Sequence, residues 1–153
     1  MNVEKHNEYY EGILQLRNPS KEAIDFVEKQ IEKRKNVFIA KAKKVKNGID
    51  FYISSQKYLQ SLGKKLQNQF SGELKISSKL FSRNHLTSKN IYRVNVLFRL
   101  PKFKKSDIIT FKGEDIKILG IGKKVLAKNL KTGKKHSLRY KELSGSYPHR
   151  SLL

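Results

Sequence analysis

The chain has 153 residues with 34 Lys and Arg against 13 Asp and Glu, a formal net charge of +21, and no cysteine. A surplus of that size repels itself in a compact fold and points to a polyanionic partner, nucleic acid above all. Without cysteine these residues form no disulfide, thiol nucleophile or thiolate zinc site.

Apolar runs such as Val37-Phe38-Ile39-Ala40 are too short to span a bilayer. The polar start Met1-Asn2-Val3-Glu4-Lys5 does not read as a secretory signal, so none is expected. The expectation is a cytoplasmic protein with no membrane partner. Hydrophobic residues at 37% are enough to bury a core.

Residues 9–16 read as a strand with Tyr10, Gly12, Leu14 and Leu16 on one face. Asn18-Pro19-Ser20 breaks it and offers Ser20 as N-cap to a helix with Ala23, Ile24, Val27 and Ile31 at helical spacing. Lys33, Arg34 and Lys35 suit the last turn, where cations complement the dipole. Residues 37–45 form a second strand. Lys46-Asn47-Gly48 then signals a hairpin, because Asn-Gly accepts the positive φ of a tight turn.

Ile49, Phe51 and Ile53 alternate on the returning strand. Ser54-Ser55 caps a second helix striped by Leu59, Leu62, Leu66 and Phe70 and closed by Gly72. Leu74, Ile76, Ser78 and Leu80 mark a fourth strand, and residues 82–90 read as a polar connection. Tyr92, Val94, Val96, Phe98 and Leu100 form the clearest strand. The order β-α-β-β-α-β-β predicts an α+β two-layer sandwich, with both helices on one side of a mixed or antiparallel sheet.

Pro101-Lys102-Phe103-Lys104-Lys105 changes the texture and is read as the boundary between a domain over 1–103 and another over 104–143. Short strands at 108–111, 116–119, 123–129 and 135–140, punctuated by Gly113, Gly120, Gly122 and Gly133, predict a small all-β barrel. At about 40 residues it should lean on its neighbour or a partner. Residues 144–153 read as a tail.

Enzymatic constellations are scarce. His6, His85, His136 and His149 are scattered without metal-ligand spacing. Glu114-Asp115 reads as turn chemistry, and Gly120-Ile121-Gly122-Lys123-Lys124 lacks the full phosphate-loop pattern. No catalytic residue, metal site or cofactor is expected.

Binding candidates fall in three basic clusters: Lys41, Lys43, Lys44 and Lys46; Lys79 through Arg99; and Lys123 through Arg139. The residues chosen for RNA contact are Arg83, His85, Lys89, Arg93, Lys123, Lys124, Lys131, Lys134, Lys135 and Arg139, with phosphate neutralisation as their role. Any one Lys is by itself an ordinary solvated residue; the sum points to RNA. Tyr9, Tyr10, Phe51, Tyr52, Phe81, Tyr92 and Tyr140 could stack bases, although packing is the commoner use of such residues. No RNP octamer or KH loop is present, so contact with shape and backbone is favoured over base readout.

Three stretches carry a resemblance: Tyr9 through Arg17 (YYEGILQLR), Asn47 through Ser55 (NGIDFYISS), and Lys75 through Phe98 with Leu80-Phe81-Ser82 and Thr87 through Arg93. Together they resemble the Nmd-three family of archaeal and eukaryotic large-ribosomal-subunit factors, in order and spacing over residues 9–100. The resemblance implies docking on the RNA of the large subunit, near the sites of tRNA or translation factor five-A. It also implies a role in subunit biogenesis, quality control or anti-association, and an SH3-like form for the barrel over 104–143.

Family members begin with Cys-x-x-Cys zinc modules, and their eukaryotic forms add an OB-fold and an export-signal extension. Neither is found here, so the expectation is a natural short form or a fragment, with a separate zinc-bearing protein or domain as an open partner. Two other readings are an RNA-binding accessory subunit of an RNA-processing or RNA-modifying enzyme, and a protein-interaction scaffold with incidental charge.

Overall fold

The computed structural model describes residues 9–143, so the expected tail at 144–153 lies outside the described residues. The elements run β1 (Gly12–Arg17), α1 (Lys21–Glu32), β2 (Ile39–Val45), β3 (Gly48–Ile53), α2 (Gln56–Phe70), β4 (Glu73–Asn84) and β5 (Lys89–Arg99). A second group follows: β6 (Ile108–Phe111), β7 (Glu114–Ile121), β8 (Val125–Asn129), β9 (Lys135–Leu138) and a 3-10 turn, Tyr140–Leu143.

The first five strands form one sheet in the order β2-β3-β1-β5-β4, with β1 parallel to β5 and the other pairs antiparallel. Alternation along the strands puts Leu14, Leu16, Phe51, Ile53, Val94, Val96 and Phe98 in one buried cluster. Val27 and Ile31 of α1 and Leu59, Leu62 and Leu66 of α2 join it, so both helices cover the same face. Among the described residues no α-helix covers the opposite face of the sheet.

Local chemistry explains the helix ends. Ser20 Oγ accepts from the Ala23 N–H at 3.2 Å, and Ser55 Oγ accepts from the Tyr58 N–H at 3.2 Å. The first turn of α2 has no acidic residue of its own. Glu11, just before β1, supplies a carboxylate oxygen to the Gln56 N–H at 2.8 Å. The first helix stops at Glu32, so Lys33, Arg34 and Lys35 lie past its end rather than in its last turn.

Tyr58 ties the helices together by donating its hydroxyl to the Gln30 carbonyl at 2.7 Å, and burial raises its pKa above the ordinary phenol value. Gly63 lets α2 lie close to the sheet, since a Cβ there would stand 2.8 Å from Val96 Cγ1.

Three further expectations for this sheet need correction. In the β2–β3 hairpin Val45 pairs with Gly48, which leaves Lys46 and Asn47 as the loop with positive φ at Asn47. Gly48 is needed instead for close approach, because a side chain there would collide with the Leu16 carbonyl. Residues 82–90 are mostly strand: β4 and β5 continue to Asn84 and from Lys89, with only 85–88 as the turn. Tyr10 does not share the core face with Gly12; it packs edge-on against Tyr52, on the helix-free side.

The remaining strands form a four-stranded antiparallel sheet in the order β6-β7-β8-β9. It is not a closed barrel. The edge strands β6 and β9 have four residues each and one neighbour each, whereas closure requires the two edges to pair along their length. Its own core, including Ile109, Ile116, Ile118, Val125 and Ala127, is completed by Phe103 and Leu143. Glu114 and Asp115 open β7 rather than occupying a turn.

Candidate nucleic-acid interface

Residues 33–106 contain 19 Lys and Arg and only two carboxylates, Asp50 and Glu73. Both are already paired: Arg17 donates to Asp50 at 2.8 Å, and Arg99 to Glu73 at 3.4 Å. The segment itself therefore offers almost no carboxylate to offset its cations. That segment also includes a projecting arm.

The arm follows from strand register. β1 pairs with β5 only from Val94 onward, so residues 79–93 continue as a two-stranded ribbon beyond the rest of the sheet. Six extended residues on the β4 side and five on the β5 side reach roughly 20 Å. The ribbon carries Lys79, Arg83, His85 and Lys89 and no carboxylate. Apolar side chains are exposed along it: Leu80 and Phe81 at 55%, Leu86 at 97% on the turn, and Ile91 and Tyr92 as well. A ribbon of this kind is marginal in water without something to cover it.

At its root, cations and rings alternate across the helix-free face. Lys41 Nζ lies 4.3 Å over the Tyr52 ring, and Tyr52 meets Tyr10 edge-on at 4.9 Å. The Arg93 guanidinium lies 3.8 Å from the Tyr10 ring centre and 3.4 Å from that of Phe81. Arg93 also donates to the Tyr10 hydroxyl at 2.8 Å. With a ring on each side, Arg93 is placed to hold the arm to the sheet rather than to stack a base.

On the small sheet, lysines face one another directly. Lys117 of β7 pairs with Lys128 of β8, and Lys128 with Lys135 of β9. Like charges in directly opposite positions destabilise a sheet, and an anion lying across the row would relieve them. The turn carrying Lys131 and Lys134 adjoins this row. It is built on buried Asn129, whose Oδ1 accepts from the Lys131 and Thr132 N–H groups at 2.8 and 3.0 Å, while Nδ2 donates to Glu114 at 2.6 Å.

The ten residues chosen from sequence thus fall into separate sets. Arg83, His85 and Lys89 lie on the arm and Arg93 at its root. Lys131, Lys134 and Lys135 gather at one end of β8 with Lys117 and Lys128, which the choice had left out. Lys123 and Lys124 lie at the opposite end of β8. Arg139 is close to them in register and pairs with Glu142 at 2.9 Å.

A further set was not recognised as one site, although Lys46 and Arg99 stand in two of the basic clusters read from sequence. A groove of about 740 Å³ lies where the helix-free face meets the segment after β5 and the 3-10 turn, with Arg17, Lys46, Lys75, Arg99, Lys102 and Lys141 among its lining. Tyr140 also lines it and donates its hydroxyl to the Gly122 carbonyl. Burial, with the Glu73 carboxylate adding to it, pushes the Tyr140 pKa up to about 12.

Among the described residues no group of three or more His, Asp or Glu side chains could hold a metal ion. No helix among them is long and apolar enough to cross a membrane. No curated protein matches the chain. Residues 9–100, the span that includes the first sheet, its helices and the arm, match the family model described as NMD3, second domain.

Proposed function

The chain belongs to the NMD3 family, a family of ribosome-biogenesis factors, and from that premise we propose that it is a non-enzymatic factor that binds the large ribosomal subunit through ribosomal RNA. Its work would lie in biogenesis, quality control or anti-association, in the cytoplasm, with a separate zinc-bearing protein or domain as a further partner. The division into a domain over 1–103 and a smaller one over 104–143, the latter an open relative of the SH3-like barrel, belongs to the same reading.

The observation that carries it is the projecting ribbon of residues 79–93, which joins exposed apolar side chains to cations and has no carboxylate of its own. Exposed apolar surface on an arm needs cover, and cations without carboxylate neighbours suit a phosphate-rich surface. Ribosomal RNA with its bound proteins offers both. The lysine row of the small sheet adds a second place for phosphates.

Sedimentation with purified large subunits tests this. The protein should travel with the subunits at low salt and be released as salt is raised. Protein left at the top of a low-salt gradient would refute the ribosomal reading. Travel with an RNA-processing enzyme in its place would favour the accessory-subunit alternative.

A further inference from the structure

The groove at the junction of the two sheets carries features that a general basic surface does not. Six cations, contributed by β1, the β2–β3 turn, β4, β5, the segment after β5 and the 3-10 turn, converge on one concavity. They are 17, 46, 75, 99, 102 and 141 in sequence, so only the fold brings them together. Glu73 is the one carboxylate among the described residues of the lining, and Arg99 already pairs with it. Between the cations the wall is apolar and aromatic, with Leu97, Leu100, Pro101, Phe103 and the Tyr140 ring.

Cations around an apolar floor describe a ligand that is anionic along one edge and flat and weakly polar along another. A volume of about 740 Å³ lies within the ordinary range of small-ligand sites, about 300–1,000 Å³. That is room for a few linked nucleotides and far too little for a double helix, whose bases are in any case turned inward. We infer that the groove binds an unpaired RNA segment, its phosphates toward Lys46, Lys75 and Lys141 and a base against the Tyr140 ring. This combination of backbone cations with an aromatic platform is how single strands are held without sequence preference.

The inference rests on the RNA-binding reading and deepens it: the arm and the lysine row serve structured RNA, and the groove serves a strand that has left its helix. Asn18 helps fix the groove. It has a positive φ, donates its side-chain amide to the Leu100 carbonyl at 2.9 Å and its N–H to the Asn47 carbonyl at 2.8 Å. The cleft is thereby tied at its β1 side to both the β2–β3 turn and the segment after β5.

Fluorescence anisotropy with a labelled ten-nucleotide oligouridylate and with an RNA duplex of equal length tests it on the full chain. The variants are K75E/K141E in the groove, K131E/K134E at the β8–β9 turn, and E73Q, all checked for an unchanged melting curve. In K75E/K141E, affinity for the oligouridylate should fall at least tenfold, with duplex affinity much less affected; E73Q should bind the oligouridylate more tightly. K131E/K134E should show the reverse preference, losing duplex first.

Oligouridylate binding that is unchanged in K75E/K141E would overturn the groove while leaving RNA binding in place. Equal losses in both double variants would also overturn it, by reducing the effect to net charge. Wild-type protein that binds neither RNA at 50 mM salt would take down the RNA reading and the groove together.

Discussion

Buried to all but 3%, Asn129 makes three hydrogen bonds that shape the turn presenting Lys131 and Lys134. Replacing it by Ala leaves two backbone N–H groups and a carboxylate to find water. Asn129→Ala should cost about 1–3 kcal/mol, read as a lower urea midpoint at unchanged slope.

Tyr140 makes a pH-dependent contribution. Its phenol ionises near 12 in the folded chain against 10.0 ordinarily, so the unfolded chain gives up this proton first. The contribution is complete below pH 10 and fades as pH rises toward 12. The stability gap between the wild type and Tyr140→Phe should therefore narrow over that window in denaturation series at successive pH values. A constant gap would show that Tyr140 does not titrate in this way.

The β4–β5 arm is the element where pattern reading and structure part most clearly. Over 74–80 the alternation Leu74, Ile76, Ser78, Leu80 is plain in the sequence, although only Leu74, at the base of β4, packs against the core while Ile76 and Leu80 are exposed. Over 82–90 it vanishes, since neither side of the ribbon is buried by the protein itself and a period of two has nothing to enforce it. Polar residues there look like a loop.

The same logic explains the other differences. Asn47-Gly48 announces a hairpin correctly, yet the role of Gly48 depends on the carbonyl of Leu16, on a strand 32 residues earlier. The groove cations are invisible to any window along the chain. Helix caps, by contrast, are short-range chemistry, and Ser20 and Ser55 are legible at once.

An arm held at its root by Arg93 can be removed without touching the core. Shortening residues 82–90 to a two-residue turn should leave the melting temperature within a few degrees of wild type and weaken large-subunit binding at least tenfold. Sedimentation beside a melting curve reads both. A large loss of stability would mean that the arm is structural.

At the scale of the whole molecule, two clusters of buried residues support surfaces whose charge is mostly one sign. The small sheet and its flanks, residues 104–143, have 12 Lys and Arg against four Asp and Glu. Residues 33–106 are still more one-sided. Such repulsion costs stability in the free protein and is relieved when phosphates replace mobile counterions, which ties affinity to salt.

The dissociation constant for purified large subunits, measured across 50–200 mM salt, is the most direct test. Six or more phosphate contacts should give a slope of about −4 or steeper in log K against log salt. A flat dependence, or no measurable binding at the lowest salt, would contradict the claim that this protein grips the subunit by its RNA backbone.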